Sequence, residues 1–227
     1  MERNHFSHRH KLKPISSKKP YFCSGCKEPG FERRHRCELC DYDLHKDCMD
    51  PHRDETVRHK FFTNSTFRFL SEPPENWPRQ KRQRYCYACG KPVKGFFYHD
   101  EDGRDLHPSC HKLPSELSVD GVDFTLCDKV LSTCLWCNKK KRARTVSGIR
   151  GWSYVSKTKD KERHFHVSCL TELALEAWGK EADNDNELGS ALKNVKLPGQ
   201  RLIGFRISGK KVVKIAKFGL KQIGALL

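Results

Sequence analysis

Small α+β modules in tandem, each stapled by a metal and each built from a short β-sheet and one short helix, are what this chain is expected to form. Three features lead there. The 227 residues are only 36% hydrophobic and 32% charged, with mean hydropathy −0.78, so a single large apolar interior is out of reach. The chain holds 12 Cys and 12 His, the kind of staple needed by domains too small to bury enough surface. Those residues also recur in one spacing. No apolar run approaches the ~20 residues of a membrane span, and the opening Met1-Glu2-Arg3-Asn4-His5 lacks the apolar stretch of a secretory signal. The expected setting is reducing and cytoplasmic, with membrane-peripheral or nuclear placement as alternatives. Paired cysteines there read as metal ligands before disulfides.

The spacing is a C-x2-C pair followed by an H-x2-C pair, three times over. Cys23 and Cys26 lead to His45 and Cys48. Cys86 and Cys89 lead to His107 and Cys110. Cys134 and Cys137 lead to His166 and Cys169. Asp43-Leu44-His45 recurs as Asp105-Leu106-His107. Zinc takes four soft or borderline ligands in a tetrahedron. A C-x2-C turn offers two sulfurs through a tight loop, and the distant H-x2-C closes a long one, so metal affinity becomes folding energy. All four positions are filled by protein, which marks the sites as structural.

The first module carries a second ligand set. Cys37 and Cys40 stand in its middle, His10 upstream, and His52 and His59 downstream. The expected set is His10, Cys37, Cys40 and His59, because a longer tail reaches back more easily, with His8 and His52 as competitors. His5, His8 and His52 are otherwise expected at the surface. Four zinc ions are expected, with three as the floor.

The order H-x12-C-x2-C-x10-C-x2-C-x4-H-x2-C resembles the phorbol-ester/diacylglycerol zinc finger of protein kinase C. It resembles more closely the divergent C-one, cysteine/histidine-rich domain proteins abundant in plants. Their wording is similar at Pro20-Tyr21-Phe22-Cys23, Tyr42-Asp43-Leu44-His45, Gly95-Phe96-Phe97-Tyr98-His99 and Trp136-Cys137-Asn138-Lys139. The resemblance spans roughly residues 5–178. It implies zinc-pinned sheets with one short helix per module, and binding or signalling instead of catalysis. Two departures matter. Only ten residues, Lys27 to Arg36, separate Cys26 from Cys37, with no Gln-Gly pair, so neither diacylglycerol nor phorbol ester is expected as a ligand. The family's last cysteine falls on Thr56.

Aligned on its histidine, the second module puts His99 and Asp102 where Cys37 and Cys40 stand, and the third puts Thr158 and Lys161 there. Second sites are therefore eroded. His99, His111 and Cys127 are the residual candidates for another ion, and His164 is expected at the surface. Phe96, Phe97, Tyr98, Trp152 and Tyr154 are expected to fill the space by packing.

The modules are placed at 5–62, 63–125 and 126–178, followed by an acidic linker at 179–200 and a basic tail at 201–227. Formal net charge is +16, and residues 193–227 hold nine Lys/Arg and no acid. Within the tail, Val212, Ile215, Ala216, Leu220, Ile223 and Leu227 share one helical face. Lys210, Lys214, Lys217 and Lys221 share the other. Such a C-terminal basic amphipathic helix suits an anionic membrane surface or a protein partner.

The leading expectation is a non-enzymatic zinc-binding scaffold for intracellular signalling that serves an unknown protein partner. Nucleic-acid binding through basic patches is an alternative. The Lys139–Arg144 cluster resembles a nuclear-import signal. A histone-reading PHD finger would strand His107 and Cys110, and a RING ligase misplaces its histidine. A thiol–disulfide reductase is disfavoured, because every C-x2-C has an H-x2-C partner and a metal-bound thiolate is not free to exchange.

Overall fold

Among the described residues, three four-stranded antiparallel sheets follow one another along the chain, each a simple meander with neighbouring strands consecutive in sequence. The computed structural model describes residues 1–75, 77, 83–119, 122–140, 148–158 and 161–182. The tail helix, the expected lysine face and most of the acidic linker lie outside these residues.

The first sheet holds β1 (Arg3–His5), β2 (His8–Phe22), β3 (Pro29–Arg36) and β4 (Asp43–Leu44). The second holds β5 (Thr56–His59), β6 (Phe62–Leu70), β7 (Phe97–Asp100) and β8 (Asp105–Leu106). The third holds β9 (Glu116–Val119), β10 (Val122–Cys127), β11 (Ser153–Thr158) and β12 (Lys161–His166). The sheets thus start earlier than the module boundaries expected at 62/63 and 125/126.

Period-two alternation explains the strands. Leu12 is buried between exposed Lys11 and Lys13, and Ser65, Phe67 and Phe69 are buried on β6 beside exposed Arg68. Phe124 and Leu126 are buried on β10 between exposed Asp123 and Thr125.

Each sheet runs into a helix through its H-x2-C pair: α1 (Lys46–Met49), α2 (Pro108–His111) and α3 (Val167–Ala182). The first two are single turns, as expected for one short helix per module. The third is 16 residues long and corrects that expectation. Its Val167, Leu170, Leu173 and Ala174 follow the i, i+3, i+4 rhythm and are all buried, so apolar burial extends the helix past the point where the others stop.

The described residues part into two compact units after Leu113. The first contains sheets one and two. Phe67, Phe97, Tyr98, Leu12, Leu44 and Leu106 are fully buried there. The second is centred on Phe124 and Phe165, edge to face at 5.9 Å.

Candidate metal centres

The same knuckle is built three times. In each, the residue after the second cysteine is left-handed: Lys27 (φ 64), Gly90 (φ 68) and Asn138 (φ 53). That reversal lets its N–H donate back to the carbonyl of the first cysteine, at 2.9 Å to Cys23, 2.7 Å to Cys86 and 2.9 Å to Cys134. The first cysteine's own N–H reaches Glu28, Lys91 or Lys139, at 3.0, 2.9 and 3.1 Å. The next residue ties the turn to the strand ahead of the histidine: Ser24 to Asp43 O, Tyr87 to Asp105 O and Leu135 to His164 O, at 2.7, 2.8 and 2.9 Å. Finally, the backbone N–H groups of His45, His107 and His166 donate to Cys23, Cys86 and Cys134 Sγ, each at 3.5 Å. These N–H···S contacts favour thiolates over thiols.

The side chains converge accordingly. Cys26 and Cys48 Sγ lie 3.3 and 3.9 Å from His45 Nδ1. Cys89 and Cys110 lie 3.4 and 3.9 Å from His107 Nδ1. Cys137 and Cys169 lie 3.4 and 3.5 Å from His166 Nδ1. Zinc bonds of about 2.3 Å to sulfur and about 2.0 Å to nitrogen, set at tetrahedral angles, put those atoms about 3.5 Å apart. The donors therefore fit the ion. In each ring the inner nitrogen is Nδ1. The outer Nε2 of His45 and His107 donates to Pro29 O and Pro92 O, both at 3.3 Å, which fixes ring and tautomer as metal-bound histidines require.

Charge points the same way. Burial opposes ionisation of Cys23, yet hydrogen bonds from Cys26 and Cys48 hold its thiol well below the usual range. Cys86 behaves alike through Cys110 and Cys89. Cys134 is lowered to about 3, chiefly by a hydrogen bond from Cys169. The companions go up: burial pushes Cys26 to about 11, and Cys48 and Cys110 rise well above the normal value. In the Cys23 and Cys134 sets one thiol ionises readily, and the two raised ones need a cation.

A fourth cluster gathers His8, His10, Cys37 and Cys40. Cys37 and Cys40 Sγ lie 3.6 and 3.3 Å from His10 Nδ1. It is less enclosed, with only Cys37 buried. The expected His59 does not join it. His59 sits on β5 in the second sheet, with its ring 5.6 Å from that of His111, and burial lowers its pKa to about 4. His8 replaces it because His8 and His10 are two apart on β2 and so share a strand face. That His-x-His spacing was the signal in the sequence. His5 is also not a surface residue: it is 7% exposed, and its Nδ1 takes the Ser7 N–H at 3.3 Å. His59 holds the matching hairpin position and takes the Phe61 N–H at 3.2 Å. His52 is exposed.

Among the described residues the second module has no cluster of this fourth type. Its β7–β8 turn is one residue shorter, since Asp100 N–H bonds Arg104 O where Cys37 N–H bonds Tyr42 O. Asp100, not His99, thus takes the place of Cys37. Arg104 Nε lies 2.6 Å from Asp100 Oδ2, and its Nη2 lies 2.6 Å from Ser65 Oγ and also pairs with Asp102. A guanidinium stands where the first module gathers metal ligands. His99 stands by Asp105 where Arg36 pairs with Asp43: its Nδ1 lies 3.0 Å from Asp105 Oδ1 and 2.9 Å from Arg84 Nη2. No cluster among the described residues includes His99, His111 or Cys127. In the third sheet Thr158 and Lys161 are partners at the β11–β12 hairpin. His164 is 1% exposed, beside Ser153 at 3.4 Å, which corrects its expected surface position. Phe96, Phe97, Tyr98, Trp152 and Tyr154 are all buried.

Two cross-braced clusters in one small sheet, filled alternately along the chain by His8, His10, Cys23, Cys26, Cys37, Cys40, His45 and Cys48, form a recognisable unit. Residues 6–49 match the C1 domain. That segment is consistent with a divergent C1-type cysteine/histidine-rich zinc finger, and its knuckle and histidine geometry recurs at the two later Cys-Cys-His-Cys clusters. No curated protein and no solved structure matches the chain. The chain is thus a zinc-binding domain protein, with four Cys/His clusters suited to zinc among its described residues.

Proposed function

We propose that the chain is a non-catalytic zinc scaffold for intracellular signalling, which presents rigid modules to a protein partner while its basic tail attaches to an anionic membrane surface. One observation carries the non-catalytic reading: each of the four clusters supplies four protein ligands, which leaves no coordination position for a substrate or a reactive water. Strand β3 fills Pro29–Arg36, most of the short stretch between Cys26 and Cys37, which supports the absence of a diacylglycerol-gripping loop. No helix among the described residues is long and apolar enough to cross a membrane, so attachment would be peripheral. Lys210, Lys214, Lys217 and Lys221 would then contribute about 1 kcal/mol each near an anionic surface.

The test is co-sedimentation with phosphatidylserine vesicles. Lys214→Glu, Lys217→Glu and Lys221→Glu together should abolish binding and leave metal content unchanged. Sedimentation equal to that of the native chain removes the membrane half of the proposal. Partner capture that survives full chelation removes the scaffold half.

A further inference from the structure

The first knuckle reaches into the second module. At its tip, Gly25 O accepts the Phe96 N–H at 3.0 Å. Gly95 lies so close that a Cβ there would stand 1.9 Å from Gly25 O. Two residues beyond Cys26, Glu28 points the same way, with its side chain 17% exposed. One carboxylate oxygen lies 3.6 Å from Lys91 Nζ, and the other 3.7 Å from His107 Nε2. His107 turns Nδ1 toward Cys89 and Cys110, so Nε2 is its outer nitrogen. That nitrogen donates to Pro92 O of its own module, and the Glu28 carboxylate of the module before stands beside it at ion-pair distance. The other two histidines differ. His45 Nε2 faces Pro29 O, and His166 Nε2 has no hydrogen-bond partner among the described residues. A carboxylate beside the outer N–H of a metal-bound imidazole favours that orientation of the ring electrostatically and makes it a stronger donor to the metal. Lys91 offsets the added negative charge.

We propose that Glu28 is a positioning residue for the Cys86–Cys89–His107–Cys110 centre, so that the second module reaches full metal affinity only when the first is folded against it. The inference depends on the metal reading and not on any partner. Loading would then be ordered: metal at Cys23, Cys26, His45 and Cys48 sets the knuckle that delivers Glu28.

The test uses the full chain loaded with an NMR-active cadmium isotope, each resonance being assigned through Cys→Ser variants. In Glu28→Gln the resonance of the second module should shift. Its ion should pass to a competing chelator about tenfold more readily or worse, while the sites at Cys23 and Cys134 hold. Glu28→Asp should recover part of the loss. An unchanged resonance and chelator midpoint at the second module would overturn the proposal. So would an equal weakening at every site, since that marks a general loss of fold. A native chain that takes up no cadmium overturns the metal reading itself, and this inference with it.

Discussion

At Lys27, Gly90 and Asn138 the backbone turns left-handed, which costs a non-glycine residue about 1 kcal/mol. Two of the three positions accept that cost because the turn brings two sulfurs to one point. His8 and His59 show how a single side chain decides a site. Both lie at β-hairpins, and only the first shares a face with a second histidine near Cys37 and Cys40. Elemental analysis should show His8→Ala losing one zinc per chain and His59→Ala losing none; the reverse pattern would reject the assigned ligand set. The C-x2-C and H-x2-C ligands were legible in the sequence because each pair acts over three residues within one turn. The distal ligand of the other set was not, because its choice depends on which strand faces which turn. A guess from tail length favoured His59, and strand pleat decided for His8.

Each strand meander was foreseen only as a short sheet. Pairing the strands requires register, and register rests on turns such as β7–β8, where one residue fewer moves Asp100 into the place of Cys37. The contact between sheets one and two was not visible at all, since nothing local distinguishes Gly25 or Gly95 from any other loop glycine. That contact has a checkable size. In Gly95→Ala the new methyl group meets backbone, which no rotamer change relieves. Losing the Phe96–Gly25 hydrogen bond costs about 1 kcal/mol, and partly exposing Phe96 costs about 2 kcal/mol. Unit one should lose about 3 kcal/mol, read as faster hydrogen exchange at the Phe96 amide. An amide as protected as in the native chain would show that the contact adds nothing. The 16-residue length of α3 was likewise missed, although Val167, Leu170, Leu173 and Ala174 spell its buried stripe, because the repeat suggested only a short helix there.

For the whole chain, low hydropathy and repeated metal ligands gave the right kind of architecture, because they concern what can hold small sheets together and not how those sheets meet. The clusters differ in enclosure. The Cys23 and Cys86 sets are fully buried, whereas His8, His10 and Cys40 are only partly so. A graded chelator titration should therefore remove one ion first with little loss of far-UV circular dichroism, and then the rest together with the fold. Retention of cooperative unfolding after complete demetallation would contradict the metal-dependent architecture. Arg104 adds a different consequence. Its guanidinium, tied to Asp100, is a counter-ion bonded covalently to the chain, so that corner of the second module stays neutralised during zinc starvation or oxidative attack, when an exchangeable ion would leave.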